Sequence, residues 1–81
     1  MWIRSQDKEI LIEANLVFIE EFNGNFEVKK WFGDTLILGT YSTKEKAIKV
    51  LDMIQELILY TYYGGNEPKK LFQMPQDHEV E

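Results

Sequence analysis

Residues 41–65 read Y-S-T-K-E-K-A-I-K-V-L-D-M-I-Q-E-L-I-L-Y-T-Y-Y-G-G, and this stretch predicts one helix with chemical signals at both ends. Ser42 is the predicted N-cap, and Glu45 lies three residues later, where it completes a capping box. Gly64 and Gly65 are predicted to end the helix. Between these signals, apolar residues recur at three- and four-residue spacing and predict one buried stripe. The stripe consists of Ala47, Val50, Leu51, Ile54, Leu57, Ile58 and Thr61.

Three further apolar residues of this helix, Ile48, Leu59 and Tyr62, fall outside the stripe. The apolar surface is therefore wider than a helix lying on a single sheet needs. This surplus predicts that the helix contacts a partner.

The residues before the helix have strand character. Short strands are predicted at 2–4 and 10–12, and stronger ones, rich in β-branched and aromatic residues, at 16–22, 26–32 and 35–41. Asn23-Gly24 fits a type I′ turn and Gly33-Asp34 a type II′ turn, so both connections are predicted to be tight hairpins. The predicted fold class is α+β, an antiparallel four- to five-stranded meander followed by one long C-terminal helix. Residues 66–70 are expected to form a polar loop and 71–75 a short apolar return.

Two-residue loops would fix the register of the meander. They pair Ile19 with Val28, Trp31 with Leu36, Lys29 with Leu38 and Val28 with Gly39. They also set Glu20 against Glu27, an unfavourable pair, so a three-residue loop with a bulge remains open.

Both faces of the predicted sheet are apolar. One face carries Val17, Ile19, Phe26, Val28, Phe32, Ile37 and Tyr41, and the other carries Leu16, Phe18, Phe22, Trp31, Leu36 and Leu38. Because one helix covers only one face, the sequence predicts a homo-oligomer. The predicted interface residues are Phe18, Trp31, Leu36, Leu38, Ile48, Leu59 and Tyr62.

Size and composition narrow the class of protein. The chain has 81 residues, no cysteine and a net charge of −5. We expect one α+β domain over 1–75 and a disordered acidic tail over 76–81. The opening segment does not resemble a signal peptide, and charged residues interrupt the apolar helix, so a cytoplasmic location in a bacterial host is predicted. The acidic balance disfavours nucleic acid as a partner, although an acidic surface that imitates DNA remains an alternative.

No catalytic or metal-binding constellation is evident in the sequence. Ser42 is assigned to the cap, and His78 lies in the predicted tail, so no serine–histidine pair is expected. No glycine-rich phosphate loop precedes a helix. We therefore predict a protein that is not an enzyme and needs no metal or cofactor.

The opening segment nevertheless concentrates groups that suit a nucleotide-like ligand. Trp2 is suited to stack on a base, Arg4 to hold phosphate, and Ser5 or Gln6 to contact a base edge, and Lys8 would complete the contacts. The simpler alternative places Trp2 in the core and Arg4 in a surface ion pair.

Three blocks together carry a resemblance to a known group. They are M-W-I-R-S-Q-D-K at 1–8, L-G-T-Y-S-T-K-E-K-A-I-K-V-L-D-M-I-Q at 38–55 and F-Q-M-P-Q-D at 72–77. The chain resembles small, mostly hypothetical proteins encoded in phages and prophages of Gram-positive bacteria. The resemblance brings no assigned catalytic residues.

Phage origin, as implied by this resemblance, favours an inhibitor of bacterial immunity. One class consists of oligomers that sequester a cyclic nucleotide or a cyclic ADP-ribose-like signal at subunit interfaces, where Trp2, Arg4 and Phe72 would contribute. A second class consists of anti-CRISPR-like proteins that occupy a host defence nuclease. A structural or accessory phage role is the third alternative.

Overall fold

Two three-stranded sheets and one long helix make up the fold in the computed structural model, which describes residues 1–63 and 71–81. The elements are β1 (Trp2–Arg4), β2 (Leu11–Glu13), β3 (Val17–Phe22), β4 (Asn25–Phe32), β5 (Asp34–Tyr41), α1 (Lys44–Tyr63) and β6 (Leu71–Gln73). The predicted α+β class is confirmed. Five strands precede the helix as expected, but only three of them form the meander. The helix is not C-terminal, because β6 follows it.

The hairpin between β3 and β4 has the predicted turn and register. Asn23 and Gly24 have φ angles of 52° and 80°, as a type I′ turn requires. Ile19 pairs with Val28, and Glu20 pairs with Glu27.

Lys29 neutralises this pair of like charges. Its Nζ lies 2.5 Å from a Glu20 carboxylate oxygen and 3.5 Å from one of Glu27. The hydrogen bond with Glu20 is the main reason why the pKa of Lys29 is raised, and burial opposes it. The unfavourable pairing is therefore tolerated without a change of register.

The predicted two-residue loop at Gly33-Asp34 is wrong, because Phe32 pairs with Asp34 and the register near the turn is shifted by one residue. A bulge in β5 then restores the predicted register at Gly39. The observed pairs are Trp31 with Thr35, Lys30 with Leu36, Lys29 with Ile37 and Val28 with Gly39. The predicted pairing of Val28 with Gly39 is confirmed, and the other two pairings are wrong. Leu38 is the extra residue, and it reverses the alternation of side chains toward Gly33. Leu36 therefore packs against the core, whereas Ile37 lies on the exposed face.

The second sheet joins distant parts of the chain in the order β2-β1-β6. β1 is antiparallel to β2 and parallel to β6, with Ile3 beside both Ile12 and Phe72. These three residues share the covered side, where Ile3 is fully buried. We call β2-β1-β6 the small sheet.

Strands β3, β4 and β5 form the other sheet, which we call the main sheet. Helix α1 packs on it largely through the predicted stripe. Ala47, Val50 and Ile54 are buried, but Ile58 is exposed, contrary to expectation. The N-cap is Thr43 and not Ser42, because the Lys46 N–H donates to Thr43 Oγ1 at 3.1 Å. Gly64, Gly65 and the predicted loop at 66–70 lie outside the described residues, as do the side chains of Thr61 and Tyr62.

The segment that follows β6 is packed, although 76–81 was expected to be disordered. Asp77–Glu79 form a single 3₁₀ turn, and Val80 is buried. The hydroxyl of buried Tyr41 donates to the Pro75 carbonyl at 2.8 Å. Burial raises the pKa of Tyr41, and the charges of Asp77 and Glu79 add to this rise.

Candidate functional site

Trp2 and Arg4 lie side by side on the outer face of the small sheet. They alternate with buried Ile3, so their side chains leave the same side of β1 about 7 Å apart along the strand. By register, this outer face also holds exposed residues of β2 and β6. These are Leu11, Glu13, Leu71 and Gln73.

Trp2 keeps 44% of its surface exposed, so it is not a core residue. The guanidinium of Arg4 is fixed by one hydrogen bond, from Nε to the Lys8 carbonyl at 2.8 Å. Among the described residues, its two terminal nitrogens have no acceptor and no carboxylate pairs with it. These nitrogens are therefore available to an anion.

Lys8 belongs to the turn that follows β1. Its φ of 69° is left-handed, and its N–H donates to the Ser5 carbonyl at 2.9 Å. The turn brings the Lys8 carbonyl to the Arg4 guanidinium, so a second cationic residue directly follows β1.

Ser5 stabilises the turn from inside and is almost completely buried. Its hydroxyl donates to Asp7 Oδ1 at 2.5 Å and accepts from the Ile10 N–H at 3.0 Å. The hydroxyl is the main reason why the pKa of Asp7 is lowered, followed by the Glu9 N–H. Ser5 is thus committed to the fold and does not face the outer surface.

Gln6 is committed to the fold in the same way. Its N–H donates to the Leu38 carbonyl at 2.7 Å, and its side chain bonds both main-chain groups of Thr40. Its Nε2 also donates to the Pro75 carbonyl at 3.2 Å, and Gln76 Nε2 donates to the Gln6 carbonyl. Gln6 therefore joins β5 to the C-terminal segment.

Phe72 lies on the opposite side of the small sheet from Trp2 and is buried. The structure thus brings together Trp2, Arg4 and Lys8 but not Ser5, Gln6 or Phe72. The sequence did not predict that Leu11 and Leu71 flank β1 on the outer face. No local pattern identifies them, because they reach this face only through strand pairing.

A cleft of about 110 Å³ lies beside the bulge. Ser5, Gln6, Asp7 and residues 37–40 line it. Pockets for small organic ligands usually measure about 300–1,000 Å³, so this cleft holds a few water molecules at most.

A second exposed surface lies on the main sheet, on the side away from α1. We call it the uncovered sheet face. Its apolar residues are Leu16, Phe18, Phe22, Trp31 and Ile37, and the ion pairs of Lys29 with Glu20 and Glu27 lie on the same face. Phe22 and Trp31 keep more than half of their surface exposed.

The predicted interface residues divide between several places. Phe18 and Trp31 lie on the uncovered sheet face, whereas Leu36 packs against the core and Leu38 is buried within it. Ile48 and Leu59 are exposed on α1 but lie about 16 Å apart along the helix axis. They do not form a continuous patch by themselves. The side chain of Tyr62 lies outside the described residues.

The described residues contain no group of three His, Asp or Glu side chains that converges on a metal position. In the same part of the chain, no helix is both long and apolar enough to cross a bilayer.

Comparison with known proteins finds no matching family model, no matching curated protein and no matching solved structure. The chemistry of the two exposed surfaces is therefore the basis on which we propose a function.

Proposed function

We propose that this chain is a non-enzymatic binding protein that captures a nucleotide-like anion on the outer face of the small sheet. One observation carries the proposal: a half-exposed indole lies beside a guanidinium whose terminal nitrogens have no partner among the described residues. Aromatic rings stack on bases without regard to sequence, and guanidinium groups bind phosphate oxygens in a bidentate manner.

The spacing of the two side chains suits one nucleotide. Trp2 and Arg4 are about 7 Å apart along the strand, which is comparable to the reach from a base to its own phosphate. Arg4 is already held by the Lys8 carbonyl, so less side-chain entropy is lost on binding. Lys8 adds a second positive charge in the turn that directly follows β1.

Glu13 limits the class of ligand. It lies beside Trp2 on the same face, so phosphate on that side of the indole would meet a carboxylate. A compact nucleotide with its charge on the Arg4 side fits better than a continuous nucleic acid strand. A cyclic nucleotide or a cyclic ADP-ribose-like molecule meets this description.

On this outer face, the proposed capture includes a second copy that encloses the ligand. The resemblance to phage proteins motivates the biological role we propose, in which the oligomer sequesters a nucleotide signal of bacterial immunity.

Thermal denaturation with a panel of cyclic mononucleotides, cyclic dinucleotides and cyclic ADP-ribose isomers tests the proposal. A ligand at about 100 times its Kd stabilises the folded state by roughly 2.7 kcal/mol, which raises the Tm of a domain of this size by roughly 10 °C or more. Inorganic phosphate serves as the control for simple anion binding. A panel without any shift contradicts the proposal.

Matched variants locate the site. We expect Trp2→Ala and Arg4→Gln to abolish the shift, and Trp31→Ala and Lys44→Gln, which change exposed residues elsewhere, to retain it. Loss of the shift in Trp31→Ala alone would move the site to the uncovered sheet face.

The uncovered sheet face supports a second candidate function, direct inhibition of a host defence nuclease. Its exposed Phe22 and Trp31 resemble the aromatic anchors of protein interfaces, and the chain is acidic. Inhibition of DNA cleavage by a purified RNA-guided nuclease, lost in Trp31→Ala and retained in Trp2→Ala, would support this function over nucleotide capture.

A further inference from the structure

The two edges of the main sheet differ in how their main-chain groups are satisfied. At the β5 edge, Gln6 bonds the Leu38 carbonyl and both main-chain groups of Thr40. The chain itself therefore covers this edge over residues 38–40.

The β3 edge has no such cover among the described residues. The Trp31 N–H donates to the Leu16 carbonyl at 3.0 Å, so Leu16 directs its main-chain groups toward β4. Because this direction alternates along a strand, Val17, Ile19 and Glu21 direct theirs away from the sheet. No hydrogen bond from the described residues reaches these outward groups.

The sequence of β3 lacks the usual protection of an edge strand. It reads V-F-I-E-E-F, without proline, glycine or lysine, and its residues favour extended backbone. Its two glutamates lie near the hairpin end. The half of β3 that begins at Val17 is therefore open to pairing with another strand.

We propose that β3 pairs antiparallel with β3 of a second copy, across a twofold axis at Phe18. In this register Phe18 lies opposite Phe18 of the second copy, and Val17 lies opposite Ile19 of the second copy. Val17 and Ile19 of the two copies would exchange about four main-chain hydrogen bonds.

The placement of the glutamates selects this register over its neighbours. It sets neither Glu20 nor Glu21 opposite a glutamate of the second copy. A twofold axis at Glu20 would place Glu20 opposite Glu20 of the second copy. A twofold axis at Ile19 would place Val17 opposite Glu21 of the second copy. A second copy is thus a self-complementary partner for this edge.

The dimer would join two main sheets into one of six strands. It would also make the uncovered sheet faces of both copies continuous, with the two Phe18 rings in contact at the centre. Pairing at the β3 edge does not depend on nucleotide binding, so the absence of a thermal shift with every ligand would leave it standing.

Cysteine crosslinking tests the register directly, because the chain has no cysteine. At a non-hydrogen-bonded pair the Cα atoms are about 4.5 Å apart, within the range of a disulfide. We expect Phe18→Cys to form a reducible species of twice the chain mass on mild oxidation. Phe22→Cys, on the same strand and face, is expected to remain uncrosslinked, because the two cysteines at position 22 would lie far apart along the paired strands. The opposite pattern would overturn the register.

Sedimentation of charge variants tests the dimer without chemical crosslinking. We expect wild type to sediment as a dimer, Phe18→Lys and Phe18→Glu each to sediment as monomers, and their mixture to recover twice the chain mass. Trp31→Lys, on the same face but on the central strand, is expected to remain dimeric. Monomeric wild type, or a dimer broken by Trp31→Lys and not by Phe18→Lys, would overturn the proposal.

Discussion

The side-chain amide of Gln6 bonds both main-chain groups of Thr40: Nε2 donates to the carbonyl at 3.1 Å, and Oε1 accepts from the N–H at 2.9 Å. A strand residue normally obtains these two bonds from a neighbouring strand. Gln6 therefore takes the place of one residue of a fourth strand at the β5 edge.

Mutation of Gln6 tests whether its side chain stabilises the β5 edge in this way. In Gln6→Ala, Thr40 loses both bonds in a partly buried site, and we expect the free energy of unfolding to fall by about 2–4 kcal/mol. Gln55→Ala, on the exposed side of α1, is the matched control and should change stability by no more than about 0.5 kcal/mol. Urea unfolding followed by tryptophan fluorescence measures both. Equal stabilities would contradict the role of Gln6.

Asp77 links the C-terminal segment to the start of α1, and its contacts predict that the stability of the fold depends on pH. Its carboxylate accepts from the Ser42 N–H at 2.8 Å and from the Ser42 hydroxyl, and Lys46 lies nearby. These contacts, led by the Ser42 N–H, hold the pKa of Asp77 below its usual 3.8. The folded-state pKa is depressed, so the stability due to Asp77 is complete above about pH 4 and is lost as the pH falls through the folded value.

We therefore expect Asp77→Asn to be less stable than wild type at pH 7 and the difference to shrink below about pH 4. Asp7, whose pKa is also lowered, is common to both proteins and cancels in the difference. Asp52→Asn, an exposed change on α1, serves as the control. Thermal unfolding between pH 2.5 and 7 provides the measurement, and a difference independent of pH would contradict the assignment.

The position of Lys29 between two glutamates predicts that a variant without this lysine has a salt-dependent stability. In Lys29→Met, Glu20 and Glu27 face each other without a cation, so we expect lower stability at neutral pH. Added salt should recover part of the loss by screening the repulsion. Glu20→Gln in the same background should recover more, because it removes the repulsion. The control Lys44→Met should show neither effect, and a salt-insensitive loss in Lys29→Met would assign the role of Lys29 to packing.

Gly39 lies where a side chain would meet the core. A Cβ there would be 3.0 Å from Tyr41 Oη and 3.1 Å from Met74 Cε. We expect Gly39→Ala to cost about 1–3 kcal/mol of stability through overpacking. In a Tyr41→Phe background, which removes Oη, the cost should be smaller. A double-mutant cycle by chemical denaturation measures this coupling, and additive effects would show that Tyr41 Oη is not the obstacle.

Local sequence signals predicted the elements better than their long-range partners. Asn23-Gly24 identified the β3–β4 hairpin and the Ile19–Val28 pair, because turn chemistry is encoded within a few residues. The bulge at Leu38, whose carbonyl accepts from the distant Gln6 N–H, has no such signal in the neighbouring residues. For the same reason the exchange of Leu36 and Ile37 between faces was not foreseen.

The candidate site was predicted in part. Trp2 and Arg4 were identified from their residue types within one short segment. Ser5 and Gln6 have the same polar chemistry, but their partners at 38–40 and 75 are distant in sequence and use them inside the fold. The cap at Thr43 was missed because Asp77, also distant, takes Ser42 instead.

The parallel pairing of β1 with β6 also affects how the chain folds during synthesis. Ile3 leaves the ribosome early, yet its neighbour Phe72 is made almost seventy residues later. Until then β1 has one side unpaired and the Ile3 side chain only partly covered, so native structure must wait for nearly the whole chain. Contacts this remote slow folding. We expect a nascent chain stalled before residue 71 to be sensitive to protease, whereas the β3–β4 hairpin, whose contacts are local, can form as soon as it emerges.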